Sequence, residues 1–122
     1  MDKPTEEQIR EFWEWCGLLY EGYGNANRLK AKNLPPIDLN NLFKYAVPKL
    51  LEEYNIESYS FKQCDNWYYS EVNIWRKGST KHSFEILHDE HIAKHFEQGT
   101  DLDEITALAL FWALWQVKES NE

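Results

Sequence analysis

Trp67-Tyr68-Tyr69-Ser70-Glu71-Val72-Asn73-Ile74-Trp75-Arg76-Lys77 is the stretch on which the fold turns. Tyr68, Ser70, Val72 and Ile74 alternate with Trp67, Tyr69, Glu71, Asn73 and Trp75, the two-residue period of a β-strand. Apolar or aromatic groups on both faces predict a middle strand covered on both sides. Tyr68, Val72 and Ile74 are expected on one buried face, Trp67 and Trp75 on the other. Asp65-Asn66 before the run and Lys77-Gly78-Ser79 after it are turn signals. Upstream, Tyr59 and Phe61 alternate with Ser58, Ser60 and Lys62. Downstream, His82, Phe84 and Ile86 alternate with Ser83, Glu85 and Leu87. Three strands joined by tight turns predict an antiparallel meander.

Helical periodicity flanks this sheet. Thr5 and Gln8 have capping-box spacing, with Glu6 and Glu7 in the first turn. Ile9, Phe12, Trp13, Cys16 and Leu19 then carry a helix to near Tyr20, with Gly17 inside it. Asp38 is the expected N-cap of a second helix through Leu39, Leu42, Phe43, Ala46, Val47, Leu50, Leu51 and Tyr54. Pro48 lies on its polar side and either kinks it or splits it in two. His88 to Gln98 reads as a short helix ended by Gly99. Thr100 or Asp101 caps the last helix, which runs through Leu102, Ile105, Leu108, Phe111, Trp112 and Trp115 to about Lys118. From Ala107 to Trp115 that helix is apolar on every side, so two layers of the domain sandwich it or a partner covers it. The stripe holding Leu108, Phe111 and Trp115 can pack on the sheet, with Trp112 and, slightly round, Ala109 and Ala113 on the opposite side. The expectation is one α+β domain over residues 1–122: an antiparallel sheet of three to four strands with helices packed on both faces, in the order α-α-β-β-β-α.

Composition narrows the function classes. The chain has 122 residues, 43% hydrophobic and 16% aromatic, enough for one domain with a real core. A net charge of -8 works against nucleic acid and anionic membrane surfaces, both of which call for a basic footprint. The first residues lack an apolar signal region, and the longest apolar run is half of the roughly 20 residues a membrane helix needs. The expected setting is the cytoplasm. Cys16 reads as a small buried hydrophobe, Cys64 lies near a strand end, and two cysteines make no disulfide scaffold.

Candidate chemistry is sparse. His88, His91 and His95, three and four residues apart, would share one helical face and could hold Zn²⁺ or another borderline metal. Ile92-Ala93-Lys94 between the last two supplies no general base, and a solvated polar helix is the plainer reading. Carboxylate pairs fall where helix caps need them. There is no nucleophile elbow, P-loop or dinucleotide fingerprint, so no catalytic or cofactor-binding residue is assigned. Arg28, Lys30 and Lys32 form a locally basic loop. With Trp67, Tyr68, Tyr69, Trp75, Arg76 and Lys77 they are the candidate nucleic-acid contact. No RNA-recognition signature accompanies them, and Glu71 and Glu85 sit among them. Core or interface packing is preferred for the sheet aromatics because aromatics dominate both. Trp13, Trp15, Trp112 and Trp115 are the candidate interface, on the first and last helices.

Asp38-Leu39-Asn40-Asn41-Leu42-Phe43-Lys44-Tyr45-Ala46-Val47-Pro48-Lys49-Leu50, and Thr106-Ala107-Leu108-Ala109-Leu110-Phe111-Trp112-Ala113-Leu114-Trp115, resemble small phage and prophage proteins of the phage ABA-sandwich type. The resemblance rests mainly on the last helix and implies a phage-derived α+β accessory protein with no catalytic residue. The leading expectation is therefore a non-enzymatic interaction protein with a protein partner, a homodimer included, and no membrane. The alternative is a nucleic-acid-related role, as an acidic DNA mimic or as a binder through the basic loop. The third is a small metal-dependent enzyme built on the histidines.

Overall fold

Thr5 opens the first helix, α1 (Glu6–Trp15), through a reciprocal cap. Its hydroxyl accepts the Gln8 N–H at 3.1 Å, and the Gln8 side chain accepts the Thr5 N–H at 2.9 Å. The computed structural model describes residues 3–18, 35–77, 80–82, 85–86 and 90–121. The end of α1 corrects the sequence reading. Gly17 lies outside the helix at φ +89°, and the Gly17 and Leu18 N–H groups bond back to the Glu14 and Trp13 carbonyls, both at 2.9 Å. This is a Schellman stop, which glycine enters without a Cβ penalty.

The second helix, α2, is one run built of an α-turn (Leu39–Asn41), a π segment (Leu42–Ala46) and another α-turn (Val47–Leu50). Asp38 caps it by accepting the Asn41 N–H at 2.8 Å. Pro48 is exposed, as its place on the polar side implied. It has no N–H to give and would crowd the carbonyl of Lys44 in a regular helix. The wide turn just before it, closed by the Val47 N–H on the Leu42 carbonyl, absorbs that conflict.

The strands are β1 (Tyr54–Cys64), β2 (Trp67–Arg76), β3 (Thr80–His82), β4 (Glu85–Ile86) and β5 (Glu90–Gly99). β1, β2 and β5 form an antiparallel three-stranded sheet with β2 in the centre, while among the described residues β3 and β4 pair with each other. Two expectations are corrected here. Of the run 82–87, residues 82, 85 and 86 are described and lie in β3 and β4, outside the three-stranded sheet. The third strand of that sheet is instead β5, within the segment expected as a short helix. Within β5 the apolar residues Ile92, Ala93 and Phe96 are spaced as on a helix. Its true alternation is hidden because both faces carry polar groups and a bulge opposite Ile74/Trp75 shifts the phase.

The last helix, α3 (Leu102–Ser120), is capped by Asp101, which accepts the Glu104 N–H at 3.1 Å. It lies across β2 and β5 on one side and against α1 and α2 on the other. That explains its apolar circumference: it is the middle layer. Thr106 reaches Ser60 of β1 at 3.4 Å, and Gln116 bonds both backbone groups of Lys94 in β5, at 3.0 and 3.3 Å. Fully buried Ala109 and Ala113 lie on the same stripe, so small residues let the helix sit close to the sheet. Phe111 instead meets Phe12 of α1, ring centroids 4.8 Å apart, so the bulky stripe faces the helices and not the sheet as expected. Val72, Ile74 and Ala93 are buried beneath α3, with Ser70 beside them. The described helices all gather on this side of the sheet. A helical layer on the other face is not among the described elements.

Candidate functional site

The second face of the sheet is built by the odd-numbered positions of β2 and their register partners. Tyr59 and Phe96 flank Glu71, Phe61 and Gln98 flank Tyr69, and Glu57 and Lys94 flank Asn73. Tyr59, Phe61, Trp67 and Phe96 are 44%, 48%, 41% and 50% exposed. Isolated exposed apolar residues are ordinary, but several on one face mark a contact surface.

Beneath these rings lies a polar floor. Glu71 and Asn73 are buried. The Tyr69 hydroxyl donates to one Glu71 oxygen, and the Asn73 amide donates to the other at 2.7 Å. The Asn73 oxygen then faces Nε2 of His91 at 3.0 Å, so Nε2 carries the proton in that contact. His91 also leans on Trp75, ring centroids 5.2 Å apart. The donors Tyr69 and Asn73 hold the Glu71 carboxyl down at about 2. The same bond to Glu71, with burial second, pushes the Tyr69 hydroxyl up to about 12. A general acid or base works best with a pKa near the operating pH. Glu71 stays charged and Tyr69 neutral across the physiological range, so neither of this pair is poised for proton transfer near neutral pH.

The ring layer has a definite orientation. Phe61 and Tyr69 lie 5.0 Å apart at 25°, and Tyr69 and Phe96 lie 5.4 Å apart at 18°. Near-parallel rings that close cannot lie side by side in one plane. They overlap face to face, as offset stacks do. β1 and β5 flank β2, so Phe61 and Phe96 cover opposite faces of Tyr69. The stack presents a ridge of ring edges, whereas base stacking calls for a free ring face.

Comparison with protein-family models, with curated proteins and with solved structures finds no match to this chain.

The residues singled out in the sequence fall as follows. His91 is on the open face, paired with Trp75, whereas His95 is on the helix side, paired with Val72 and bonded to Glu97 at 2.5 Å. The single helical face that would have joined them does not exist, because the segment is a strand. His88 lies outside the described residues. Among the described residues no three His, Cys, Asp or Glu side chains converge to hold a metal. Arg28, Lys30 and Lys32 lie outside the described residues as well. Trp13 is fully buried, its Nε1 donating to the Pro35 carbonyl at 2.8 Å, so it is a core residue and offers no surface. Trp15, Trp112 and Trp115 are half-buried around Phe12 and Phe111. Of the β2 aromatics, Tyr68 is half-buried, Trp75 is half-buried and Trp67 is exposed. The cover expected over Trp67 and Trp75 is therefore incomplete.

Burial pushes the Cys16 thiol up to about 12, which makes it inert at neutral pH, and Cys64 is exposed. Among the described residues no helix is long and apolar enough to cross a membrane. Sequence reasoning missed Phe96 and gave Tyr59 and Phe61 no role. The signal for the last two was their parity with Tyr69 across the Asp65-Asn66 turn. Phe96 was hidden by the helical reading of its strand.

Proposed function

We propose that this protein is a non-enzymatic interaction module whose working surface is the second face of the sheet, and that its occupant is a protein. The observation that carries the reading is the ridge formed by Phe61, Tyr69 and Phe96. Its flanks, Phe61 and Phe96, are about half exposed and apolar, and its half-buried centre, Tyr69, is closed to base stacking by these neighbours. Ring edges and flanking aliphatic stems suit the side chains of another folded surface. In this reading a partner covers the face that was expected to carry a second helical layer. The fixed protonation of Glu71 and Tyr69 supports binding over catalysis. The net charge of -8 adds to the case against a polyanionic ligand. A phage-derived accessory role stays part of the proposal, supported by the resemblance of 38–50 and 106–115 alone.

Radical footprinting tests this directly. Labelling of Tyr59, Phe61 and Phe96 is followed over a dilution series of the pure protein, then with host extract, DNA and RNA. Phe43, 54% exposed on α2, is the reference. Protection of the three sheet rings, with Phe43 unchanged, in a protein-only condition is the expected result. Protection by nucleic acid alone, or in no condition, overturns the reading.

A further inference from the structure

Across the second face the register sets unlike partners at equal height on the two flanking strands. Glu57 of β1 and Lys94 of β5 are both paired with Asn73, and both are exposed. One step along β2, Tyr59 and Phe96 are both paired with Glu71 and are 44% and 50% exposed. A two-fold axis lying in the plane of the face and running along β2 exchanges the flanks and preserves height. Under that operation the β1 flank of one copy meets the β5 flank of the other. Glu57 then faces Lys94 of a second copy twice over, and Tyr59 faces Phe96 twice over. The face is complementary to itself in charge and in ring contacts.

We propose that the occupant of this face is a second copy of the chain, docked sheet to sheet about that axis. The proposal rests on the reading of the face as a protein-contact surface and names its partner. Isologous two-fold dimers are the commonest closed assemblies, and they require such self-matching. Face-packed sheets sit about 10 Å apart with strands within roughly 30° of each other. The two rows are neighbours near the middle of β2, where that misalignment displaces side chains least. Glu71 is the charge nearest the axis. It lies below the ring layer, already holding the Tyr69 and Asn73 donors, with the Lys94 cation beside it. Trp13 is fully buried within the monomer and gives no surface to such a contact.

Charge exchange tests it. Sedimentation equilibrium of the wild type is expected to give a species of twice 14.6 kDa at micromolar concentration. Glu57→Lys alone and Lys94→Glu alone each set like charges opposite at two places and weaken the dimer by about tenfold or more. The double variant Glu57→Lys/Lys94→Glu restores the pairs and returns dissociation to within about threefold of wild type. Both residues are exposed, so the variants fold, and circular dichroism checks that they do. A wild-type monomer overturns the proposal, as does a dimer indifferent to the single exchanges or not rescued by the double one. A monomer whose sheet rings are protected by host extract rejects the dimer and leaves the interaction reading standing. A monomer protected by no protein rejects both.

Discussion

Glu71 shows how a residue that looks unremarkable in an acidic chain becomes special through its neighbours. Its ordinary carboxyl value is 4.5, and in the fold the Tyr69 and Asn73 donors hold it at about 2. A depressed carboxyl stabilises the fold above its unfolded value, and the contribution is lost as pH falls from about 4.5 through 2. Glu71→Gln removes this dependence. Urea midpoints are expected to favour the wild type at pH 7, with the gap to the variant closing between pH 4.5 and pH 2. A gap that stays constant over that interval would contradict the network. Gly17 gives a second residue-scale prediction. A Cβ there meets no atom within 4 Å, so the only cost of Gly17→Ala is the φ of +89°. That cost is about 1–2 kcal/mol, read from denaturant unfolding. The crowding-free site means Gly17→Asn loses less, because Asn tolerates this region better.

Among the elements, α3 and β5 carry the lesson. The Ala109–Ala113 stripe of α3 is small because the helix must approach β2 and β5 closely. Ala113→Leu forces extra volume between helix and sheet and is expected to cost about 1–3 kcal/mol. A neutral result in thermal or urea unfolding would mean that the stripe does not face the sheet. On β5, Gln116 bonds the N–H and carbonyl of Lys94. The side chain thus occupies backbone groups that an edge strand would otherwise leave open for pairing. The sequence pattern predicted a helix for β5 because strand periodicity is visible only where one face is dry. Here Ala93, Gly99 and, at the bulge, Ile92 are apolar positions packed toward the core, beside His95 and Glu97. Pairing with β2 decides the conformation, and that partner is distant in sequence.

For the whole molecule, three layers share one core, and α3 has both neighbours on it. Phe12 is fully buried and touches Trp13, Trp15 and Phe111, so it links the outer helix layer to the middle one. Phe12→Ala is expected to destabilise by about 3–5 kcal/mol. Because the layers share α3, fluorescence and far-ultraviolet circular dichroism should report the same single transition in this variant. Two separate transitions would show that α1 docks as an independent unit.

The sequence by itself determined the elements whose signals are local. The Thr5, Asp38 and Asp101 caps, the Asp65-Asn66 turn and the strong alternation of β2 all appear where their residues predict, since each depends on partners within a few positions. The all-round apolar α3 was legible as a helix needing cover on two sides. Only the tertiary structure decided which layers supply that cover, and that β5 is a strand. It also separated His91 from His95 and, among the described residues, gathered the helices on one face of the sheet. The reason is common to all of these: they depend on pairing and packing between segments far apart in the chain. A side chain such as Phe96 carries no mark of which distant strand it will stand beside.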